Sequence, residues 1–184
     1  MNTNQYEAFK QFYQVKQLEN NDRIESFDCG DDDLNDFILN EAALYRREKL
    51  SECYLLKEKD SQNIVAFFSL LNDKISVDDF DDKNRYNRFS RRFNNRKRLK
   101  SYPAVKIGRL GVSTTCKGRN VGSFIIKFIK TYFIYNNKSG CRFLTVDAYS
   151  DAIQFYYKNG FVPLNDSDLH DRTRLLYYDL NDVD

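Results

Sequence analysis

Residues 107–135 read IGRLGVSTTCKGRNVGSFIIKFIKTYFIY, and this stretch decides the fold. An apolar strand, predicted over residues 104–112, is followed by a short glycine-bearing turn and by a helix predicted from Val121 to Tyr135. A glycine-bearing turn that opens a helix directs several free backbone N–H groups at one point, and the helix dipole adds positive potential there. The pattern suits a bound pyrophosphate with Lys117 and Arg119 as neighbouring cations, and it also fits a plain tight turn.

The segments on either side of this stretch predict a mixed domain. Asp31, Asp32 and Asp33 are typical of a helix start, and a helix is expected from there to about Lys49. Residues 1–19 fit either a short helix or a strand. Further strands are predicted at 53–57, 64–71, 143–148, 161–164 and 174–180, the first two as an antiparallel hairpin, and a further helix at 151–158 that ends at Gly160. This order indicates an α+β (α/β three-layer) fold in a single domain spanning residues 1–184.

The composition predicts a sizeable core and an ordinary surface. Of the 184 residues, 41% are hydrophobic and 15% aromatic, and the formal net charge is +2. The four cysteines are far apart in the sequence and His170 is the single histidine. The clustered Cys and His ligands of a zinc site are therefore missing, and no metal is expected. Isolated thiols, without any apolar run of 18 residues, favour a cytoplasmic protein that does not cross a membrane.

Residues 78 to about 103 are predicted to be a basic insertion in the domain. Four aspartates at positions 78, 79, 81 and 82 precede Lys83–Lys106, which holds ten Lys or Arg and no Asp or Glu. Tyr86, Phe89 and Phe93 are spaced as on a short helix. Such a run is either a solvated loop balanced by the aspartates or a surface for a polyanion, with cations on phosphates and rings on bases. The candidate RNA-binding residues are Arg91, Arg92, Arg96, Lys97, Arg98 and Lys100.

Two motifs, in this order, resemble those of the GNAT superfamily of N-acetyltransferases. Residues 107–122 are similar to the strand and acetyl-CoA loop of these enzymes, and residues 155–161 (FYYKNGF) resemble their common ending FYxxxGF. An earlier segment, residues 27–38 (FDCGDDDLNDFI), resembles the bacterial subgroup that includes toxins acetylating aminoacyl-tRNA. The sequence departs from the family pattern at Lys117, which replaces Gln or Arg, at Asn120, which replaces a glycine, and at Tyr149, which replaces an asparagine.

The resemblance implies a GNAT fold, with a central, mixed and largely antiparallel twisted sheet flanked by helices, and acetyl-CoA as co-substrate. Backbone N–H groups of residues 110–112 would polarise the thioester carbonyl. Tyr156 matches the family tyrosine that protonates the departing CoA thiolate. A core tyrosine is the alternative reading of Tyr156, and Tyr157 is the better core residue. The candidate cofactor-binding residues are Leu110, Gly111, Val112, Lys117, Gly118, Arg119, Asn120, Val121, Gly122 and Ser123.

The reaction that the resemblance implies is direct attack of an amine on the thioester. No Cys–His pair suggests a covalent route, and a triad is improbable with one histidine. Asp147 and Glu52 are weak candidates for a general base. An α-amine has a pKa roughly 2.5 units below that of a lysine amine, so an enzyme without a strong base more easily uses an α-amine.

Three functions stay open on the sequence alone. The first is an N-acetyltransferase that acts on aminoacyl-tRNA as a toxin, with charged tRNA and an antitoxin as partners. The second is an acetyltransferase for a small amine or a protein N-terminus, with the basic segment as a bystander. The third is a module of the same shape that binds CoA or RNA without catalysis. A homodimer is a further expectation from the family.

Overall fold

The computed structural model describes residues 3–93, 99–137 and 139–182. Its centre is a seven-stranded sheet in the order β1-β2-β3-β4-β5-β7-β6. The β4–β5 pair is parallel, whereas β1–β2, β2–β3, β5–β7 and β6–β7 are antiparallel. The strands are β1 (Tyr13–Gln17), β2 (Glu52–Glu58), β3 (Ile64–Ser76), β4 (Ser101–Val112), β5 (Phe143–Tyr149), β6 (Val162–Pro163) and β7 (Thr173–Asp179). The helices are α1 (Thr3–Phe12), α2 (Asp32–Asp36), α3 (Ala42–Arg47), α4 (Lys83–Ser90), α5 (Val121–Tyr135) and α6 (Ile153–Lys158).

Helices α2 and α3 form one continuous helical rod, and the wide turn that joins them is a π-helical turn. Asp31 caps the start, because its side chain accepts a hydrogen bond from the Leu34 N–H, as the aspartate run predicts. The turn spans Phe37–Glu41, where the Ala42 N–H bonds to the Phe37 carbonyl five residues back. Phe37 is buried on this turn.

Contacts within the chain define two compact units. The first comprises the residues up to Leu71 together with Ile107–Tyr132, and the second comprises Asn72–Lys106 together with the residues from Phe133 onward. The prediction of a single domain is not tested by this division and stays a prediction.

The core of the first unit is aromatic and aliphatic. Phe67 on β3 is fully buried, with its ring 5.4 Å from that of Phe27 and 6.0 Å from that of Phe37. Phe68, the next residue, faces the other way and packs on Tyr54 and Phe128, as alternation along a strand requires. Both faces of β3 are therefore buried within this unit.

The second unit is built around Phe89, which lies on α4. Its ring is 5.3 Å from Phe143, 5.6 Å from Tyr177 and 5.3 Å from Phe93. A buried arginine on β7, Arg174, secures the loop that precedes this strand. Its guanidinium donates to the Asp168 carboxylate, the Asn165 carbonyl and the Tyr157 hydroxyl, so a charge that is only 8% exposed is fully partnered.

Aspartate side chains make hydrogen bonds in the described part of the segment before β4. Asp82 caps α4 by accepting from the N–H groups of Asn84 and Arg85, and Asp81 accepts from the Ser167 hydroxyl. The side chain of Asp79 accepts from the Ser76 N–H and hydroxyl. These aspartates are used within the fold, and no ion pair joins them to Arg91, Arg92 or Lys100 among the residues the structure describes. Whether the basic segment is a solvated loop or a surface for a polyanion stays a prediction, because Arg96, Lys97 and Arg98 lie outside the described residues.

Candidate active site

Strand β4 approaches β3 too closely for side chains at two glycines. A Cβ on Gly111 would lie 2.6 Å from Cε1 of Phe67, and one on Gly108 would lie 2.8 Å from Cδ2 of Leu71 and 3.1 Å from Oγ of Ser69. Glycine at these two positions therefore lets β4 lie close against the side chains of β3.

Backbone hydrogen bonds fix the turn after β4, which leads into the N-terminus of α5. The Ser113 N–H donates to the Val65 carbonyl at 2.9 Å, and the Cys116 N–H donates to the Ser113 carbonyl at 2.8 Å. Gly118 and Asn120 both take left-handed backbone angles, with φ of +78° and +59°. Asparagine is the residue that best tolerates this region after glycine, so Asn120 fills the conformation that the glycine of the motif would supply.

Helix α5 begins at Val121, where the sequence predicted it, and the carbonyl of Asn120 accepts from the Phe124 N–H. Lys117, Gly118, Arg119 and Asn120 are exposed around the start of this helix. The other predicted cofactor residues are partly buried (Leu110, Val112, Gly122, Ser123) or buried (Gly111, Val121). The structure therefore brings the predicted loop residues together at one helix N-terminus, with two cations beside it.

The early segment 27–38 contacts this turn, which the sequence did not predict. The Thr114 N–H donates to the Asp28 carbonyl at 2.9 Å, and the ammonium of Lys117 lies 3.2 Å from the position of a Cβ on Gly30. Gly30 has a φ of +76°. The Gly30 N–H, which donates to the Asp28 carboxylate, is the main cause of the lowered pKa of Asp28. Two of the three segments that carried the family resemblance, 27–38 and 107–122, are thus in contact in the fold.

Tyr156 lies in the second unit and is buried. Its ring contacts those of Phe155 and Phe161, and burial raises the pKa of its phenol. No described residue hydrogen-bonds to its hydroxyl. The neighbouring Tyr157, expected to be the better core residue, is only partly buried, and its hydroxyl accepts a hydrogen bond from Arg174 at 2.9 Å. Tyr149 is 49% exposed, with the Arg172 guanidinium 5.4 Å from its ring centroid.

The two candidate bases are both engaged. Asp147 accepts from the Lys106 ammonium at 2.8 Å, and Glu52 accepts from Gln17 at 2.6 Å and lies 3.4 Å from Nε of Arg46. Both candidate bases therefore already have cationic partners, and their role as a general base stays a prediction.

In its described residues, the basic segment exposes charged side chains, whereas two of the three rings spaced as on a short helix are buried and Phe93 is partly buried. Arg91, Arg92 and Lys100 are exposed, and Arg92 also donates to the Tyr177 hydroxyl at 2.6 Å. Tyr86 and Phe89 are buried, so they support the core and are not placed to stack on bases. Arg96, Lys97 and Arg98 lie outside the described residues.

Two absences hold for the described part of the chain. Its helices are all too short or too polar to span a bilayer. Among the same residues, no three His, Cys, Asp or Glu side chains are grouped as metal ligands would be.

Comparison with known proteins establishes the fold. No family model and no curated protein matches the sequence. The structure is similar to a tyrosine-to-phenylalanine mutant of KacT, with a TM-score of 0.68, 18% identity, and 93% of this chain and 96% of that chain covered. It is also similar to AtaT complexed with acetyl-methionyl-tRNAfMet, with a TM-score of 0.67, 19% identity, and coverage of 92% and 95%. A third neighbour is a mutant AtaT toxin bound to the C-terminus of the antitoxin AtaR and acetyl-CoA, with a TM-score of 0.64, 17% identity, and coverage of 92% and 94%. The predicted GNAT fold, a mixed and largely antiparallel sheet flanked by helices, is confirmed.

Proposed function

We propose that this chain, which has the GNAT fold, is an acetyl-CoA-dependent N-acetyltransferase that modifies the α-amine of an aminoacyl-tRNA and acts as a toxin. The observation that carries the proposal is the likeness, over more than nine tenths of both chains, to toxins solved with acetyl-CoA and with acetyl-methionyl-tRNAfMet. The local geometry of the α5 turn and the charges of the basic segment support it independently.

The α5 turn fits the pyrophosphate of acetyl-CoA. The first N–H groups of a helix have no partner within the helix, and here they follow two residues in the left-handed conformation that turn the backbone toward one point. Lys117 and Arg119 add positive charge at the same place. We place the donor for the thioester carbonyl among the backbone N–H groups of residues 110–112 at the end of β4.

When bound, acetyl-CoA supplies an acetyl group as a thioester. The amine of the acceptor forms a bond to the acetyl carbon, the carbon–sulfur bond breaks, and the amine loses one proton while the CoA sulfur gains one. We assign the second proton transfer to Tyr156. Its raised pKa keeps the phenol protonated, as a donor requires.

An acceptor with a weakly basic amine is consistent with the engaged carboxylates. Asp147 and Glu52 are paired with cations, and an α-amine, which is partly neutral at pH 7, needs the least help from a base. Arg91, Arg92 and Lys100 are exposed and free of aspartate partners in the described residues, which suits contact with a tRNA backbone. The toxin neighbour bound to AtaR supports an antitoxin partner for this chain. Cytoplasmic location, where charged tRNA occurs, and homodimer formation stay predictions.

The test is transfer of labelled acetyl from acetyl-CoA to a pool of charged tRNA, with uncharged tRNA and free amino acids as parallel acceptors. The proposal requires label in the charged tRNA fraction and growth arrest on expression. Transfer to free amines alone would move the function to a small-molecule acetyltransferase. Binding of acetyl-CoA without any transfer would leave a non-catalytic module.

A further inference from the structure

Arg109 lies inside the motif that decided the fold, yet the sequence assigned it no role. Its guanidinium carbon is 3.9 Å from the ring centroid of Phe37 and 5.2 Å from that of Tyr45. The side chain is partly buried, and its positive charge opposes the rise in the pKa of the Cys53 thiol that burial causes. Arg109 stands directly before Leu110, the first residue assigned to the thioester carbonyl.

The other arginines that are buried or partly buried in the described residues all have carboxylate partners. Arg46 pairs with Glu19 and Glu52, Arg85 with Asp166, Arg142 with Asp179 and Arg174 with Asp168. Arg46, Arg85 and Arg174 also donate to backbone carbonyls. The side chain of Arg109 makes no hydrogen bond and no ion pair within the part of the chain that the structure describes. It is therefore the exception to a rule that this protein otherwise follows.

Stacking on Phe37 does not replace those missing partners. A ring face attracts the guanidinium charge, but the N–H donors lie in the guanidinium plane and need acceptors. The N–H donors of the Arg109 guanidinium therefore stay available for a ligand that supplies oxygens. The ring faces of Phe37 and Tyr45, which are themselves in edge-to-face contact with centroids 5.4 Å apart, hold the fork in one orientation. Arg109 is thus pre-organised as an anion receptor.

We propose that Arg109 binds a phosphate group of the acceptor and so positions the acceptor amine. The inference rests on the proposed function, because it assigns the anion to the terminal nucleotide of an aminoacyl-tRNA. Phosphate matches the planar, bidentate donor set of a guanidinium. The position in the chain agrees, since Arg109 directly precedes the residues 110–112 assigned to the thioester. The proposed phosphate site at Arg109 is distinct from the proposed pyrophosphate site at the α5 turn.

The binding test uses phenyl phosphate as the anionic probe and phenol as the neutral probe. Binding is measured by saturation-transfer NMR in the presence of saturating CoA. Saturating CoA fills the α5 turn, so that only a second phosphate site is detected. Wild-type protein should bind phenyl phosphate and not phenol. Arg109→Gln should weaken phenyl phosphate binding by about 10-fold or more, because a hydrogen-bonded charge contact is lost. Arg47→Gln is the matched control, since it removes one exposed positive charge from α3 and should have no effect.

The kinetic test uses the charged tRNA assay with the same variants and with Arg109→Lys, which keeps the charge and loses the planar fork. The apparent KM for charged tRNA should rise about 10-fold or more in both Arg109 variants, whereas the affinity for acetyl-CoA changes less than twofold. Equal phenyl phosphate binding and equal KM in folded Arg109→Gln protein would overturn the inference. Arg109-dependent phosphate binding without transfer to tRNA would instead retain the site and reject the proposed acceptor. Circular dichroism melting of each variant separates these outcomes from loss of folding.

Discussion

Replacing Gly111 with alanine tests how β4 packs against β3. The new Cβ would lie 2.6 Å from Cε1 of Phe67, whereas carbon atoms in normal contact are about 3.5 Å or more apart. The ring would have to move by about 0.9 Å. Phe67 is fully buried against Phe27 and Phe37, so it has little room to move. Overpacking of this kind costs about 1–3 kcal/mol in the free energy of unfolding.

Two other glycines give matched controls in urea unfolding of the ligand-free protein. A Cβ on Gly118 or Gly140 meets no atom within 4 Å, but Gly118 has a φ of +78°. Gly118→Ala should therefore cost about 1–2 kcal/mol through the backbone alone, and Gly140→Ala should change stability by less than about 0.5 kcal/mol.

A double-mutant cycle separates the steric effect from the backbone effect. Phe67→Leu relieves the clash, so its cost should be smaller in the Gly111→Ala background, with a coupling of about 1 kcal/mol. The same substitution should add independently to Gly118→Ala. Additive costs for the Gly111 pair, or a Gly111→Ala protein as stable as Gly140→Ala, would refute the described contact.

Three further predictions concern the site and the thiols. Tyr156→Phe should lower turnover by about 100-fold or more and leave acetyl-CoA affinity unchanged in calorimetry, because a proton donor is lost and no cofactor contact is; an unchanged rate would make the residue structural. Gly122→Trp should abolish acetyl-CoA binding in the same assay, since an indole would fill the helix start; retained affinity would show that the loop is misassigned. Because burial raises its pKa to about 12, the Cys53 thiol should be protonated at pH 8 and resist iodoacetamide in native protein while reacting in urea; rapid native labelling would contradict the burial.

The local signals in the sequence were sufficient for most elements. Helix α5 has the bounds that its apolar period predicted, and Asp31 caps α2 as expected. The first 19 residues were expected to form either a helix or a strand, and they hold both: α1 is followed by β1, which pairs with β2. Pro103, expected to precede β4, lies within it.

The parts of the site that depend on long-range contact could not be predicted. The left-handed angle of Asn120 was foreseeable from its place in the turn. Arg109 contacts Phe37, and Lys117 lies close to Gly30. Each pair is more than 70 positions apart in the sequence, so tertiary packing alone brings its members together. No local pattern encodes such pairs.

The wide turn between α2 and α3 constrains the number of residues in this rod. At roughly 100° per residue, Phe37 and Tyr45 would be about 80° apart around a regular helix. The turn absorbs one extra residue, which reduces the offset to about 20° and lets both rings face Arg109. Removing one residue here, even the exposed Asn40, would rotate one half of the rod against the other. Relatives that keep this arginine pocket should therefore keep the residue count of this rod, whereas substitutions on its surface are free to accumulate.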